Sequence, residues 1–512
     1  MNAAEADWAD GAPQTALDVL DRAAAAQPDA TAVIFGNAAL TYAEYVHAVD
    51  VLAADLAHTR GARVAILMAN SLGVPIAIYA AHRAGAVATP LNPDYTAHEL
   101  GPILADAAPA AIVADAACAA KATDAAPPGT RIIVAHPDFV PTLLARARPA
   151  PPAPTDPDAH AFLLFTGGTT GRAKGVLLTH RAIAANIAQF AARVPGRSGD
   201  EVTAMAMPLF HTFGIALGIH NSAHLAGTLV ILPRYRPDWL LDAIDRHRVT
   251  RLPAGPAIFA SLLGFEGLAR ARLASVRLCL SGSAPLSAAT LERWEAATGI
   301  PICEGYGMTE AGPVLAFIAP GRAKLASVGP ALPGTQIEIV DPADSARVLR
   351  AGEQGEIRVR GPQIMTGYLD RPEETAAALR NGWLYTGDIG RLDADGDLFI
   401  EDRKKDMTIV GGFNVYPREV DEALCAHPHV AEAAAVGVPC AAKGERIVAF
   451  VVAHPGTALD AAAIEAHCAE RLVKYKRPAE VRLIAALPRT GVNKVDKVAL
   501  RTLAREEGTD VA

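Results

Sequence analysis

The segment Phe165–Gly175, FTGGTTGRAKG, constrains the fold of this chain more than any other. It combines four glycines and three threonines with Arg172 and Lys174, and it follows the apolar run Ala161–Phe165. Glycines let a backbone turn sharply and approach a ligand closely. Threonine hydroxyls, backbone N–H groups and cations suit a polyphosphate. The pattern predicts a buried strand that feeds a nucleotide-phosphate loop. It is not the common P-loop, because Ala173 precedes the lysine. Taken alone, the segment also fits a flexible surface loop.

Length and composition exclude several other classes of protein. A chain of 512 residues is too long for one ordinary core, so two or more domains are expected. The net charge is −8 and no basic stripe indicates nucleic acid. Six scattered cysteines include no C-x-x-C pair, which argues against a zinc site or a disulfide framework and predicts reduced, buried thiols. No secretory or lipidation signal is recognised, so a cytoplasmic location is expected.

The segment Val202–Pro233 lacks Asp, Glu, Lys and Arg. It is long enough to cross a bilayer. Pro208 and three histidines interrupt it, so we interpret it as buried core and pocket lining, with a membrane span as the lesser alternative.

The order of predicted elements indicates an α/β protein. Strand-like and helix-like segments alternate early in the chain, and Thr41–Glu44 and Thr96–Glu99 are capping-box pairs that open two helices. After Gly329 the pattern of predicted elements changes to short strands separated by turns, and Asp395-Gly396 is typical of a hairpin turn. The last 110 or so residues return to mixed α/β patterns. Predicted early elements are the strand Thr31–Phe35, a helix from Thr41 to about Ala57, the strand Arg63–Met68, the helix Gly73–Ala84 and the strand Ala110–Val113.

Three further motifs follow the phosphate loop in the chain. They are Cys303–Pro313 (CEGYGMTEAGP), Tyr385–Asp388 (YTGD) with Asp402-Arg403 beyond it, and Pro488–Lys494 (PRTGVNK). In this order the four motifs resemble those of the adenylate-forming superfamily of acyl-CoA synthetases, coumarate–CoA ligases, luciferases and peptide-synthetase adenylation domains. The resemblance covers Thr31 to about Arg501. Asp402–Val420 is particularly similar to fatty acyl-CoA synthetases, and Gly305–Leu315 is equally similar to coumarate–CoA ligases.

The resemblance implies a fold and a reaction. The fold is a large N-terminal domain of layered α/β subdomains plus a β-rich subdomain, residues 1–402, and a small mobile α+β C-terminal lid, residues 403–512. In the reaction, a carboxylate attacks the α-phosphate of ATP to give acyl-AMP, and the thiol of coenzyme A then displaces AMP. The cofactors implied are ATP, Mg²⁺ and coenzyme A. The expected acid is a medium- or long-chain fatty acid. An aryl or cinnamate-type acid, a carrier-protein thiol as acceptor, a homodimer and a non-catalytic acyl-adenylate-binding protein remain open.

By the same resemblance, individual residues receive roles. Thr309 contacts the α-phosphate, Glu310 ligates Mg²⁺, Asp388 binds the ribose hydroxyls and Arg403 binds ribose or phosphate oxygens. Lys494 bridges the carboxylate and the α-phosphate, and His211 lies beside the acyl pocket and shapes the approach of the carboxylate. The residues that bind the outer phosphates are those of the loop: Thr166, Gly167, Gly168, Thr169, Thr170, Gly171 and Lys174. The residues that line the adenine slot are Ser283, Ala284, Pro285, Gly305, Tyr306 and Gly307, with Tyr306 stacking on the base.

The resemblance also implies a rotation of the lid between the two steps. Lys405 matches the pivot, and Gly411-Gly412 match the segment that lines the pantetheine tunnel. Departures from the family pattern are mild: Gly167 stands where serine is usual, Ala173 where proline is usual, and Asn493 where glycine precedes the catalytic lysine. Lys497 is a nearby competitor of Lys494, but the Pro-Arg-Thr spacing favours Lys494.

Overall fold

A computed structural model describes residues 9–150, 155–166, 173–322, 324–404, 406–410, 413–440, 444–490 and 494–506. Within these ranges the strands form four sheets. Two large sheets, mostly parallel, and one antiparallel sheet make up the large N-terminal part, and a fourth sheet forms the core of the smaller C-terminal part. The predicted fold class is confirmed.

The first large sheet has eight strands and carries the Cys303–Pro313 motif. Its inner strands are parallel, and each end carries one antiparallel strand. In spatial order the strands are Val314–Phe317, Ile302–Gly307, Leu278–Ser281, Arg251–Ala254, Val202–Met205, Thr228–Ile231, Thr31–Phe35 and Ala38–Thr41.

The second large sheet has seven strands and carries the phosphate-loop motif. A parallel core is extended by the antiparallel hairpin that flanks the loop. In spatial order the strands are Gly367–Tyr368, Lys174–Thr179, His160–Thr166, Val87–Pro90, Arg63–Leu67, Ala111–Asp115 and Arg131–Ala135.

The remaining two sheets carry the later motifs. The antiparallel sheet contains Gln336–Val340, Gly355–Arg360, Trp383–Leu392, Leu379–Arg380 and Leu398–Arg403. Gly396, at φ +80°, closes the predicted hairpin between Trp383–Leu392 and Leu398–Arg403. The C-terminal sheet contains Phe413–Val415, Thr408–Val410, Gly444–Ala453, Val430–Cys440 and Glu480–Leu483.

Helices cover the sheets. Both predicted capping boxes are present, with the Thr41 and Thr96 side chains accepting from the backbone of Glu44 and Glu99. The first of these helices ends at Asp55 rather than Ala57, because the chain tightens there into a 3₁₀ turn. The α-helices are Asp18–Ala26, Tyr42–Asp55, Gly73–Arg83, Ala97–Ala107, Ala119–Ala125, Phe139–Leu144, His180–Arg193, Asn221–His224, Pro237–His247, Pro256–Leu263, Ala288–Thr298, Pro372–Ala378, Pro417–Cys425, Ala461–Arg471 and Lys497–Glu506.

The charge-free segment Val202–Pro233 folds as two strands joined by the π-helix Gly214–His220 and a short α-helix. Among the described residues, none of the helices has the length and apolarity needed to cross a bilayer. All six cysteines are free. Four of them are buried as predicted, whereas Cys425 and Cys440 are half-buried because they lie near the surface of the C-terminal sheet and its first helix.

A cluster of buried histidines joins the two large sheets. The ring of His82 lies 4.8 Å from those of His180 and Phe162, and Nδ1 of His220 lies 3.0 Å from the hydroxyl of Tyr79. Burial lowers the pKa of all three histidines, to about 4 for His180 and about 3 for His220. The folded protein therefore holds three neutral imidazoles where the unfolded chain carries ordinary ones.

We expect this cluster to make the fold acid-labile. Since the folded pKa values are depressed, the unfolded chain binds more protons as the pH drops below about 6.5, and stability present above that pH is lost between about pH 6.5 and pH 4. Each histidine contributes up to about 1.4 kcal/mol per pH unit. His180→Phe should flatten the fall of melting temperature with pH, whereas the matched control His98→Phe, at an exposed position, should not. Equal pH profiles for the wild type and His180→Phe would refute this.

Candidate active site

The two predicted adenine-slot segments lie at one edge of the eight-stranded sheet. Leu278–Ser281 and Ile302–Gly307 are adjacent parallel strands, with Ser281 opposite Glu304. Their carboxyl ends therefore place Ser283–Pro285 beside Gly305-Tyr306, the kind of edge at which open α/β sheets bind ligands. Ser283 has φ +71°, and Ala284 and Pro285 are exposed.

Close packing against the neighbouring strand explains why Gly305 and Gly307 are glycines. A Cβ at Gly305 would lie 2.0 Å from the Phe317 ring, and one at Gly307 would lie 1.9 Å from the carbonyl oxygen of Pro313. Any side chain at either position would force the two strands apart. The GYG sequence thus keeps the strand Val314–Phe317 tight against the strand that carries Tyr306.

Asp388 joins the antiparallel sheet to this edge. It pairs with Arg403 across two strands, and the Nε of Arg403 lies 3.2 Å from its Oδ1. The hydroxyl of Tyr306 donates to Oδ2 of Asp388 at 2.6 Å. Asp388 is only 5% exposed, and its negative charge raises the pKa of Arg403. Three residues that the sequence assigned to ribose and adenine therefore meet, and the Tyr306–Asp388 bond adds a link beyond the predicted stacking.

We expect Asp388→Ala to weaken binding of ATP and AMP by similar factors. Both nucleotides carry the same ribose, and loss of a hydrogen bond to a charged group costs about 1.5–3 kcal/mol, roughly 10- to 100-fold. Calorimetry with each nucleotide measures this. Thr170→Ala is the contrasting variant, because a residue at the outer phosphates should affect ATP more than AMP. Unchanged AMP affinity in Asp388→Ala would remove Asp388 from the site.

Glu310 lies in the 3₁₀ turn Thr309–Ala311, directly after the GYG strand. It is 8% exposed, and its Oε1 accepts a 2.9 Å hydrogen bond from the hydroxyl of Tyr368. The ammonium of Lys174 lies 5.0 Å from the centroid of the Tyr368 ring. A held carboxylate of this kind is a suitable oxygen ligand for Mg²⁺.

The phosphate-loop motif is partly described. Thr166 and Lys174 are opposite each other, where the strands His160–Thr166 and Lys174–Thr179 meet. Lys174 of this hairpin lies over the ring of Tyr368, whose hydroxyl contacts Glu310. The predicted residues Gly167, Gly168, Thr169, Thr170 and Gly171 lie outside the described residues, as do Lys405, Gly411 and Gly412.

Lys494 is held by Thr490, a residue of the same motif in the C-terminal part. Its N–H donates to Oγ1 of Thr490 at 3.2 Å, and its carbonyl accepts from the Thr490 N–H at 2.8 Å. Burial lowers its pKa and the nearby Arg403 lowers it further, while Asp388 and Glu310 act in the opposite direction. The lysine therefore lies within electrostatic reach of the ribose, phosphate and metal candidates.

Lys497 has a different environment. Although burial lowers its pKa, the Asp421 carboxylate raises it, and the Lys497 ammonium lies 3.4 Å from Oδ2 of Asp421. Asp421 belongs to the C-terminal helix Pro417–Cys425. This ion pair holds two parts of the lid together, which agrees with the choice of Lys494.

His211 remains neutral in this site. Its Nδ1 accepts a 3.2 Å hydrogen bond from the N–H of Phe213, so the neutral ring carries its proton on Nε2. Burial, with the charge of Lys494, lowers its pKa to about 3. An imidazole of this kind can donate a hydrogen bond to a carboxylate, but it does not exchange protons near neutral pH.

Cys303 and Glu304, which precede the glycines of the same strand, do not take part in the chemistry assigned above. Burial raises the pKa of the Cys303 thiol to about 11, which argues against a nucleophile. Glu304 holds the adenine-slot loop through a 3.0 Å bond from the Leu286 N–H. Sequence reasoning missed both Glu304 and Tyr368. A tyrosine or glutamate at a strand end carries no spacing signal that separates it from a core residue.

The chain is similar to proteins of known function. Residues 20–369 match the family of AMP-binding enzymes, and residues 419–494 match the AMP-binding enzyme C-terminal domain. The chain belongs to the AMP-binding enzyme family. A long-chain-fatty-acid–CoA ligase of Bacillus subtilis is 35% identical over 97% of this chain and 95% of its own length. The 3-[(3aS,4S,7aS)-7a-methyl-1,5-dioxo-octahydro-1H-inden-4-yl]propanoyl:CoA ligase of Mycobacterium tuberculosis is 39% identical over 96% of this chain and 99% of its own.

Solved structures of family members agree with this assignment. MatB from Rhodopseudomonas palustris in its ATP-bound form has a TM-score of 0.89 at 33% identity, covering 96% of this chain and 99% of its own. The apo form of the same protein has a TM-score of 0.79. An o-succinylbenzoate CoA synthetase of Bacillus subtilis, in complex with ATP and magnesium ion, has a TM-score of 0.83 at 31% identity, covering 94% and 98%.

This AMP-binding enzyme is an AMP-forming acid–CoA ligase. It activates a carboxylic acid with ATP and transfers the acyl group to coenzyme A. ATP and Mg²⁺ belong to the chemistry of the family, as the structures of MatB with ATP and of the o-succinylbenzoate CoA synthetase with ATP and magnesium ion show. The chain is closer in shape to ATP-bound MatB than to apo MatB.

Proposed function

We propose that the enzyme activates a medium- or long-chain fatty acid, with Lys494 acting in acyl-AMP formation. One observation carries the proposal: a lysine from the lid lies within electrostatic reach of Asp388, Glu310 and Arg403 of the large N-terminal part. A carboxylate that attacks ATP must overcome repulsion between anions, and fixed cations at the reacting oxygens lower that barrier.

The other residues take roles that their contacts support. Asp388 binds the ribose hydroxyls and is oriented by Tyr306 and Arg403. Thr309 and Lys174 bind phosphate oxygens. His211 donates from Nε2 toward the acid. Glu310 would hold Mg²⁺, which when bound screens the phosphate charges and polarises a phosphoryl oxygen. Lys494, Arg403 and Lys174 then hold the acid and the nucleotide in line for attack.

We further propose that the lid begins beside Lys405, next to the boundary between residues 402 and 403 that the sequence predicts. Contacts on the two sides of Lys405 support this. The Lys404 ammonium lies 2.9 Å from Glu356 of the antiparallel sheet. Asp406 instead pairs at 2.5 Å with Arg501 of the last helix. Each neighbour is thus anchored to a different body, which leaves Lys405 to absorb a change of backbone angles. Gly411 and Gly412 would line the thiol path after the rotation.

A small apolar cavity of about 10 Å³ lies in the core of the large N-terminal part, and it would have to widen to accept a hydrocarbon tail. It lies between the helix His180–Arg193, the π-helix Gly214–His220 and the strand Val314–Phe317. Asn186 fixes this wall, donating from Nδ2 to the Val314 carbonyl at 2.7 Å and accepting from the Val314 N–H at 3.1 Å. Its apolar lining residues are Ile187, Phe190, Ala216, Leu217 and Val314.

A second candidate is an acid that carries an oxygen on its tail. Asn221 also lines the cavity and is 3% exposed, and neither its amide nitrogen nor its amide oxygen has a hydrogen-bond partner within the described parts of the chain. A buried amide without partners costs free energy, which a substrate hydroxyl or ketone would recover. The dioxo-ring acid of the mycobacterial relative has this chemistry.

A substrate panel tests the proposal. Octanoate, dodecanoate, ω-hydroxydodecanoate and cinnamate are compared by kcat/KM in a coupled assay for AMP with saturating coenzyme A. The fatty-acid proposal expects octanoate or dodecanoate to lead. A lead of tenfold or more for the ω-hydroxy acid favours the second candidate, and a lead for cinnamate overturns both. Replacing coenzyme A with a holo-carrier protein tests the alternative acceptor.

We propose a cytoplasmic location, which the six free cysteines support because disulfides are rare there. Light scattering tests whether two copies of the chain associate as a homodimer.

A further inference from the structure

We propose that Tyr368 is a positioning residue that holds Glu310 in place for Mg²⁺ and Lys174 in place for the phosphates. The inference rests on the proposed role of Glu310 as the metal ligand. It adds a residue that lies outside the four motifs and joins two of them.

The hydroxyl of Tyr368 contacts Glu310 directly. It donates to Oε1 of Glu310 at 2.9 Å, and both residues are largely removed from solvent. A hydrogen bond to one carboxylate oxygen fixes the plane of the carboxylate and directs its remaining lone pairs.

The backbone around Tyr368 is anchored on the phosphate-loop hairpin. The two-residue strand Gly367–Tyr368 pairs with Lys174–Thr179, and the N–H of Leu369 donates to the carbonyl of Gly175 at 2.8 Å. The Met365 N–H donates to the carbonyl of Glu310 at 2.9 Å. One short segment is therefore tied both to the hairpin that carries Lys174 and to the turn that carries Glu310.

The ring of Tyr368 has a separate contact. The Lys174 ammonium lies 5.0 Å from its centroid, within the range of a cation–π interaction. The hydroxyl thus orients the metal candidate while the ring restrains the phosphate-binding cation. Removal of the hydroxyl alone should affect the first function and spare the second.

Tyr368→Phe tests this separation. Partners that orient a metal ligand typically contribute 10- to 100-fold to metal affinity. Calorimetry should therefore show ATP binding in the presence of Mg²⁺ weakened by roughly 10-fold or more, and ATP binding in excess chelator unchanged. In pyrophosphate exchange, the Mg²⁺ concentration for half-maximal rate should rise, with the rate recovered at high Mg²⁺.

Three companions complete the experiment. Tyr235→Phe is the matched control, because its hydroxyl lies 3.4 Å from the carbonyl of Ile258, away from Glu310. Glu310→Gln tests the underlying assignment, and Tyr368→Leu removes ring and hydroxyl together. In Tyr368→Leu we expect ATP affinity in chelator to fall as well, because Lys174 loses its restraint. Melting curves confirm that each variant is folded.

The outcomes separate the two levels of the proposal. If Glu310→Gln abolishes the Mg²⁺ dependence and Tyr368→Phe binds ATP normally under both conditions, the positioning role is overturned while the proposed site stands. Equal loss with and without Mg²⁺ in Tyr368→Phe also overturns it, since a structural defect would do that. If Glu310→Gln leaves the Mg²⁺ dependence unchanged, Glu310 is not the ligand and the role of Tyr368 falls with it.

Discussion

Lys494→Ala is expected to slow acyl-AMP formation by about 10²–10³-fold and to leave thioester formation from supplied acyl-AMP largely intact. The lysine lies within electrostatic reach of Asp388, Glu310 and Arg403 in this arrangement of the lid. Its charge therefore stabilises the anionic transition state of the first step only, provided the lid moves before the second. Pyrophosphate exchange measures the first half-reaction, and coenzyme A consumption with synthetic dodecanoyl-AMP measures the second.

Lys497→Ala is the control for this experiment. Lys497 pairs with Asp421 within the lid, so its loss should lower the melting temperature and leave pyrophosphate exchange near the wild-type rate. If Lys494→Ala loses both half-reactions to the same extent, the two-state assignment of this lysine is wrong. If Lys497→Ala instead shows the selective loss, the catalytic role belongs to Lys497.

Lys405→Pro is expected to slow thioester formation by about 10²-fold or more, while acyl-AMP formation continues and the protein stays folded. Proline locks its own φ near −65° and restricts the residue before it. Lys404 is anchored to Glu356 and Asp406 to Arg501, so a locked angle between them traps the lid in whichever arrangement tolerates that φ. The same two half-reaction assays and a melting curve measure the result.

Lys405→Ala separates the backbone effect from the loss of the side chain. It removes the same ammonium but keeps the angle free, so both half-reactions should proceed. Wild-type rates for both steps in Lys405→Pro would show that the pivot is elsewhere. A broad loss of both steps with a lowered melting temperature would show an ordinary structural residue.

Local patterns predicted the parts of this fold that depend on neighbours in sequence. Alternating strands and capping boxes located Thr31–Phe35 and the helices that follow Thr41 and Thr96, because a strand face and a helix cap are properties of a few consecutive residues. The motifs likewise marked Tyr306 near the end of the strand Ile302–Gly307, Asp388 within the strand Trp383–Leu392 and Lys494 in the C-terminal part, since glycine and charge at those positions have local reasons.

Long-range pairing could not be predicted in the same way. Tyr306 meets Asp388 across 82 residues, and Tyr368 meets Glu310 across 58. Each pair depends on which sheet edges face one another, and no pattern in a single segment encodes that. The histidine cluster is a similar case, because His82, His180 and His220 come from three helical segments that only packing brings together.

Isotope transfer from the acid tests the central claim of this account most directly. Dodecanoate labelled with ¹⁸O in its carboxylate is converted in full to dodecanoyl-CoA with ATP, Mg²⁺ and coenzyme A, and the phosphorus products are analysed by mass spectrometry. If the carboxylate attacks the α-phosphate and the thiol later displaces AMP, one labelled oxygen leaves in the phosphate of each AMP. Label in inorganic phosphate, with ADP as the nucleotide product, would mean an acyl-phosphate route and would contradict the account.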